Sequence, residues 1–150
     1  MATNKITPAL WFQTDEGKMI HVSAYYKGIF NDNIEIGDTM VLGETPSGHT
    51  EMCHIKLFSQ PYMIMSTEKE HHQFNDSFAL IIHCENQQEI DKYWHYFTQE
   101  GKESMCGWCI DKFGLRWQVI PKHLGELMKL PNANMVMMKQ TKIIIADYLQ

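Results

Sequence analysis

The sequence predicts an α+β fold built from two related strand–helix modules, and three observations carry that prediction. An apolar run, Ile6 to Phe12, leads into Asp15 and a stretch bearing Met19, Val22 and Tyr26. Half a chain later a second apolar run, Phe78 to Cys84, leads into Asn86 and a stretch bearing Ile90, Tyr93 and Phe97, all at one offset from the first set. Each half also pairs a single helical stretch with several short strand-like runs, which gives a mixed or antiparallel sheet.

The elements follow in order. Ile6 to Phe12 reads as a buried strand with Pro8 placing it at an edge or bulge. Thr14 or Asp15 is expected to cap the next helix, whose stripe is Met19, Val22, Tyr26, Ile29 and Phe30. Asn31-Asp32-Asn33 ends it. Ile34 to Leu42 is strand-like with an interruption at Gly37-Asp38, and Thr45 to Gly48 is a turn. Glu51 to Phe58 alternates, with Met52, His54, Lys56 and Phe58 on one face and Cys53, Ile55 and Leu57 on the other. Ser59-Gln60 turns into a short strand, Pro61 to Met65. The polar stretch from Thr67 to Asp76, with His71-His72, reads as a linker.

The second unit opens with Ser77 to Cys84. Asn86 followed by Glu89 predicts a capping box, Ile90, Tyr93, Trp94 and Phe97 form the stripe, and Gly101 closes the helix. Two strands are expected around Ser104 to Ile110 and Leu115 to Ile120, joined by Asp111-Lys112-Phe113-Gly114. Lys122 to Leu130 and Asn132 to Gln140 read as short helices, and Thr141 to Gln150 as a terminal strand or helix. The expected organisation is module one over 5–66, linker 67–76, module two 77–121 and a C-terminal helical segment 122–150.

Composition sets bounds on function. The chain has 150 residues, 44% of them hydrophobic and 21% charged, with a net charge of −5. That size buries enough surface to need no disulfide or metal staple. The acidic balance and the absence of a basic run argue against nucleic acid as a partner. No secretory signal and no apolar run long enough to span a bilayer are visible, so no membrane partner and a cytoplasmic location with reduced cysteines are expected. Neither strand–helix junction carries GxGxxG, so Rossmann-type binding of a nucleotide or an activated methyl donor has no support.

Five separate segments carry a resemblance. Lys5 to Phe12, Tyr25 to Phe30, and Cys84 to Asp91 with Trp94 are three. Cys106-Gly107-Trp108 followed by Asp111 to Leu115, and Trp117 to Pro121, make up the most specific block. Together they resemble the PhnB-like branch of the vicinal oxygen chelate superfamily, the group of glyoxalase-type lyases, bleomycin-resistance-like proteins and extradiol dioxygenases. The branch is often labelled a 3-demethylubiquinone methyltransferase domain. The resemblance implies two βαβββ modules forming a U-shaped sheet cavity, with helices after them, and a homodimer.

It also implies where a divalent metal would sit. The family's ligand positions fall near Thr7 or Pro8, near Ser77 or Phe78, within Tyr62 to Met65, and on Gln118. None is His, Asp or Glu, so the usual metal set is absent and no cofactor is expected. His54 and His83 are the alternatives for a relocated metal, each otherwise a hydrogen-bonded structural histidine. His21, His49, His95 and His123 read as surface residues. Cys106-Gly107-Trp108-Cys109 is a CxxC placed in a strand, where neither a redox pair nor a zinc half-site is favoured.

The expected ligand-binding cavity residues are Trp11, His54, Met65, Trp108 and Gln118, with Trp94 in the core; no catalytic residue is assigned. The sequence thus favours a small-molecule-binding protein lacking the usual metal ligands. The alternatives are a metal-dependent lyase, transferase or dioxygenase with rearranged ligands, and a non-catalytic dimeric interaction module. Met135, Met137 and Met138 are expected to cover the sheet or a partner subunit.

Overall fold

The computed structural model describes residues 5–69 and 72–150; His71 of the linker pair lies outside them. The chain divides into two compact units, Met1–His72 and Gln73–Gln150. Among the described residues there are nine strands in two sheets, the α+β architecture expected.

The first unit contains β1 (Ala9–Gln13), α1 (Met19–Phe30), β2 (Ile34–Ile36), β3 (Met40–Thr45), β4 (Gly48–Leu57) and β5 (Gln60–Thr67). Its sheet runs β1-β5-β4-β2, with β3 also on β4 and β1 parallel to β5. Both β2 and β3 lie antiparallel to successive stretches of β4, so they are one strand broken around Gly37, whose N–H donates to the His54 carbonyl. The second unit contains β6 (Ala79–Cys84), α2 (Gln87–Gln99), β7 (Lys102–Glu103), β8 (Trp108–Ile110) and β9 (Arg116–Pro121). Its order is β6-β9-β8-β7, with β6 parallel to β9. The wiring is the same in both: first strand beside last, last beside third, third beside second. The sequence repeat is therefore a repeat of topology.

Each helix covers one face of its own sheet. Met19, Val22, Tyr26, Ile29 and Phe30 are all buried, and the Tyr26 ring meets Phe12 of β1 edge-on at 5.9 Å between centroids. In the second unit Ile90, Tyr93, Trp94 and Phe97 are buried, and Phe97 stacks on Trp117 of β9 at 4.5 Å. Asn86 Oδ1 accepts from Glu89 N–H at 2.9 Å, and Glu89 Oε2 reaches back to Glu85 N–H, so the capping box forms. Gly101 follows the helix as expected, in a place where a Cβ would stand 1.9 Å from the Ile110 carbonyl oxygen.

Several boundaries differ from the sequence reading. Ile6 is 85% exposed and the strand starts only at Ala9, because Pro8 contributes a carbonyl to Met63 N–H but has no N–H of its own. Ala79, not Ser77, opens β6. Three strands, not two, follow α2, since residues 104–107 form a turn in which Cys106 and Gly107 have φ of 58° and 82°. Cys106 is therefore not a strand residue, while Cys109 is fully buried in β8. Between residues 141 and 150 only Ile145–Tyr148 is helical. β5 continues to Thr67, the residue at which the sequence reading begins its linker.

Neither Thr14 nor Asp15 caps α1. Asp15 to Gly17 form a single 3₁₀ turn, and Thr14 Oγ1 instead hydrogen-bonds Ser66 Oγ across the sheet. The helix start is held from β4: Glu51 Oε1 accepts from Met19 N–H at 2.9 Å, and Glu51 Oε2 pairs with His49 Nε2 at 2.6 Å. His49 is thus a half-buried partner of a carboxylate and not a free surface residue. Burial pushes the Glu51 carboxyl up, but the His49 ring, Met19 N–H and Lys18 outweigh it and hold it below the ordinary value. A carboxyl lowered on folding stabilises the fold above its unfolded pKa, and that contribution is lost as pH falls through the folded value. Glu51→Gln is therefore expected to flatten urea stability against pH below about pH 5, with roughly 1 kcal/mol lost near neutrality. An unchanged acid slope would show that Glu51 does not hold α1.

The C-terminal segment contributes α3 (Leu124–Leu127), α4 (Ala133–Lys139) and α5 (Ile145–Tyr148). Leu127, Ala133, Ile143 and Tyr148 make its own small core. The Gln87 side chain clamps it to α2 like a peptide group, accepting from Ile145 N–H and donating to the Ile143 carbonyl. Met137 packs on this core, whereas Met135 and Met138 are 58% and 73% exposed and cover no sheet. No described helix is long and apolar enough to cross a membrane.

The β8–β9 turn is organised by one acid. Asp111 is 2% exposed. Its Oδ1 accepts from Phe113 N–H and Leu115 N–H at 2.9 and 3.1 Å, and Oδ2 accepts from Trp117 Nε1–H at 2.9 Å.

Candidate functional site

Strand alternation and register place the site residues row by row. The two-residue turn at Phe58-Ser59, with φ of 48° and 71°, sets Leu57 against Gln60 and so fixes every later pair of β4 and β5. On the face away from α1, Trp11, Met65, Met52 and Met40 are register neighbours across β1, β5, β4 and β3. The next row toward the turn holds Ala9, Met63 and His54, and the one beyond it Pro61, Lys56 and Glu35. On the other side of the apolar row lie Gln13, Thr67 and Thr50. Trp11 is 38% exposed, and its indole N–H donates to Thr67 Oγ1 at 2.9 Å, which fixes the ring against this face.

Three of the residues expected at a cavity, Trp11, His54 and Met65, therefore share one helix-free face of the first sheet. At the Lys56 end it opens into a cavity of about 390 Å³, whose lining includes Thr7, Glu35, His54, Lys56, Pro61 and Tyr62.

The second sheet carries the remaining two. Trp108 of β8 and Gln118 of β9 are register neighbours, with Ile81 of β6 next in the row. His83 shares that face, opposite Ile120, and is exposed. Arg116 also lies on it, tied to Asp76 and to the Phe74 and Gly114 carbonyls. Trp94 and Trp117 are buried on the helix side. The residues of these rows that the sequence does not single out are Met40 and Ile81; Met52 is expected on the face of His54, and Met63, like Met65, is expected as an apolar lining residue. A two-residue turn counted back along β4 and β5 is the signal that sets Met52 level with Met65 and His54 level with Met63; Trp11 joins the row through the parallel pairing of β1 with β5.

The divalent metal of the superfamily does not fit these residues. The positions to which the resemblance assigns it hold hydroxyl, apolar and amide side chains. Among the described residues no group of three or more His, Cys, Asp or Glu comes together. His54 and His83 stand in different units, and among the described residues neither has such a group around it. The cysteines offer no reactive thiolate on the helix side: burial raises Cys53 and pushes Cys84 and Cys109 up to about 12.

A family model described as 3-demethylubiquinone-9 3-methyltransferase matches residues 4–120. No curated protein matches the sequence. Among solved structures, the PhnB protein from Bacillus cereus is 28% identical, with 78% of this chain and 99% of that chain covered and a TM-score of 0.65. The fosfomycin resistance protein FosX from Listeria monocytogenes is 13% identical over 84% of this chain and 97% of its own, at a TM-score of 0.56. That second likeness bears on the fold alone. With two topologically equivalent modules and a family match across both of them, the chain belongs to the PhnB-like 3-demethylubiquinone-9 3-methyltransferase family of the vicinal oxygen chelate superfamily.

Proposed function

We propose that this protein binds a small, largely apolar molecule on the helix-free faces of its sheets without a transition metal. The observation that carries the reading is the row of Trp11, Met65, Met52 and Met40, an aromatic ring and three adaptable thioethers on a partly exposed sheet face. Modules 5–66 and 77–121 each supply one such face, and Gln118 beside Trp108 offers the second face a neutral donor and acceptor. No chemical step is assigned to any residue.

The same reading places the protein in the cytoplasm, supported by four free cysteines, three of them buried. It also takes the protein as a homodimer, supported by the edge strand β3, where Met40, Val41 and Leu42 are 55%, 61% and 46% exposed.

The test is ligand-observed NMR with octanol, run on the wild type and on Trp11→Ala, together with elemental metal content after dialysis. Binding that weakens about tenfold in Trp11→Ala, with no retained metal, is expected. Equal binding by the variant, or one metal retained per chain, would overturn the reading and favour a relocated metal site near His54 or His83.

A further inference from the structure

We infer that the ligand of the first sheet is an amphiphilic organic anion, a carboxylate carried on an apolar body, held head-first at His54 and Lys56. This rests on the binding face proposed above and adds the chemical class.

The face is graded along β4. Lys56, His54 and Met52 point the same way at successive same-face positions, so the helix-free side runs from a cation through an imidazole to a thioether. Across the sheet, Lys56 lies beside Pro61, His54 beside Met63, and Met52 beside Met65 and then Trp11. The charged end is also where the cavity lies, with the Thr7 hydroxyl and the Tyr62 and Pro61 walls around it. From the Lys56 row to the Trp11 row is about 13 Å, four residues of strand, which is the span of a medium-length acid.

Two further points favour an anion over a cation. Among the described residues no hydrogen bond or ion pair engages the side chains of His54 or Lys56, although Glu35 is the register partner of Lys56. Two donors therefore stand open in the cavity against one carboxylate. The chain as a whole carries −5, so a pair of basic groups on one sheet face is a local departure from its average. A carboxylate head would accept from Lys56 Nζ and the imidazole N–H of His54, a charge-assisted arrangement stronger than a neutral one. Its apolar body would run over Met63 and Met52 toward Met65 and Trp11.

The experiment uses full-length protein labelled at the methionine methyl groups with carbon-13, titrated separately with octanoate, octanol and octylamine. The signals of Met52, Met63 and Met65 are assigned by single substitution to leucine. Octanoate is expected to shift these three signals and to bind about tenfold more tightly than octanol, with octylamine weakest. Lys56→Gln should abolish the preference of octanoate over octanol. Lys56 is exposed, so this variant tests recognition and not folding.

If octanol and octanoate bind equally, or if Lys56→Gln leaves their ratio unchanged, the anion inference is overturned while the binding face stands. If none of the three probes shifts the methionine signals, both readings fall. A preference for octylamine would assign the head position to Glu35 and overturn the inference as well.

Discussion

Replacing Asp111 with alanine is expected to cost about 3–5 kcal/mol of folding stability. The carboxylate is buried and accepts three hydrogen bonds, two from backbone N–H groups of its own turn and one from the indole of Trp117. Alanine removes the acceptor that these three donors share, and Leu115 and Trp117 are both buried. The indole is also the surface on which Phe97 of α2 stacks, so loosening it disturbs the helix–sheet contact of the second unit. In a domain of this length the loss corresponds to a fall in Tm of roughly 10 °C. Asparagine is the discriminating control. Its amide oxygen can keep the two backbone donors, but its NH₂ would face the Trp117 N–H donor, so about half the loss is expected. Urea unfolding of the three proteins measures this; a loss under about 1 kcal/mol for alanine would mean the turn is held by other contacts.

Gly17→Ala should be at least as damaging, for a backbone reason. Gly17 has φ of +66° in the turn that leads into α1, and an added Cβ would stand 2.0 Å from the His49 carbonyl oxygen and 2.8 Å from Glu68 N. Both are main-chain atoms, His49 in β4 and Glu68 just past the end of β5, and the His49 carbonyl already accepts from Glu68 N–H, so neither can yield without disturbing that hydrogen bond. A loss of about 3 kcal/mol or more is expected, well beyond left-handed strain alone at about 1–2 kcal/mol. Gly43→Ala separates the two causes. It shares the positive φ, +77°, but nothing stands within 4 Å of its Cβ, so strain of about 1 kcal/mol is all it should show. Similar losses at the two positions in chemical denaturation would rule out the clash as the dominant cause.

Much of the architecture was legible in the sequence because it is periodic. Both helix stripes and the Asn86 capping box rest on spacing alone and appear where spacing puts them; the alternation of β4 holds from Met52 to Leu57, but Phe58 leaves it for the turn, where its ring meets Phe30 of α1 edge-on at 5.8 Å. What was not legible depends on partners distant in the chain. The α1 start looks like a Thr14 or Asp15 cap, but the acceptor comes from Glu51 on another strand. The turn at Cys106-Gly107 interrupts what reads as one strand, and its N–H groups pair with the Gln140 and Thr141 carbonyls of the C-terminal segment. For the candidate site, individual residues could be named on chemical grounds, but their neighbours could not. Met52 is unremarkable in a methionine-rich chain until the hairpin register sets it level with Met65.

The shared wiring of the two sheets has a kinetic corollary. In each unit the first strand pairs only with the last, in parallel, as Leu10 does with Ile64 and Leu80 with Trp117. The first residues of each unit thus have no ladder to join until the last strand exists, and their docking closes a long loop at an entropic cost that neighbouring hairpins avoid. The β4–β5 hairpin can form locally and serve as a template, whereas Trp11 reaches Met65 only at the final closure. The aromatic end of the proposed ligand face is therefore expected to assemble after the β4–β5 hairpin, and it is lost when β1 detaches.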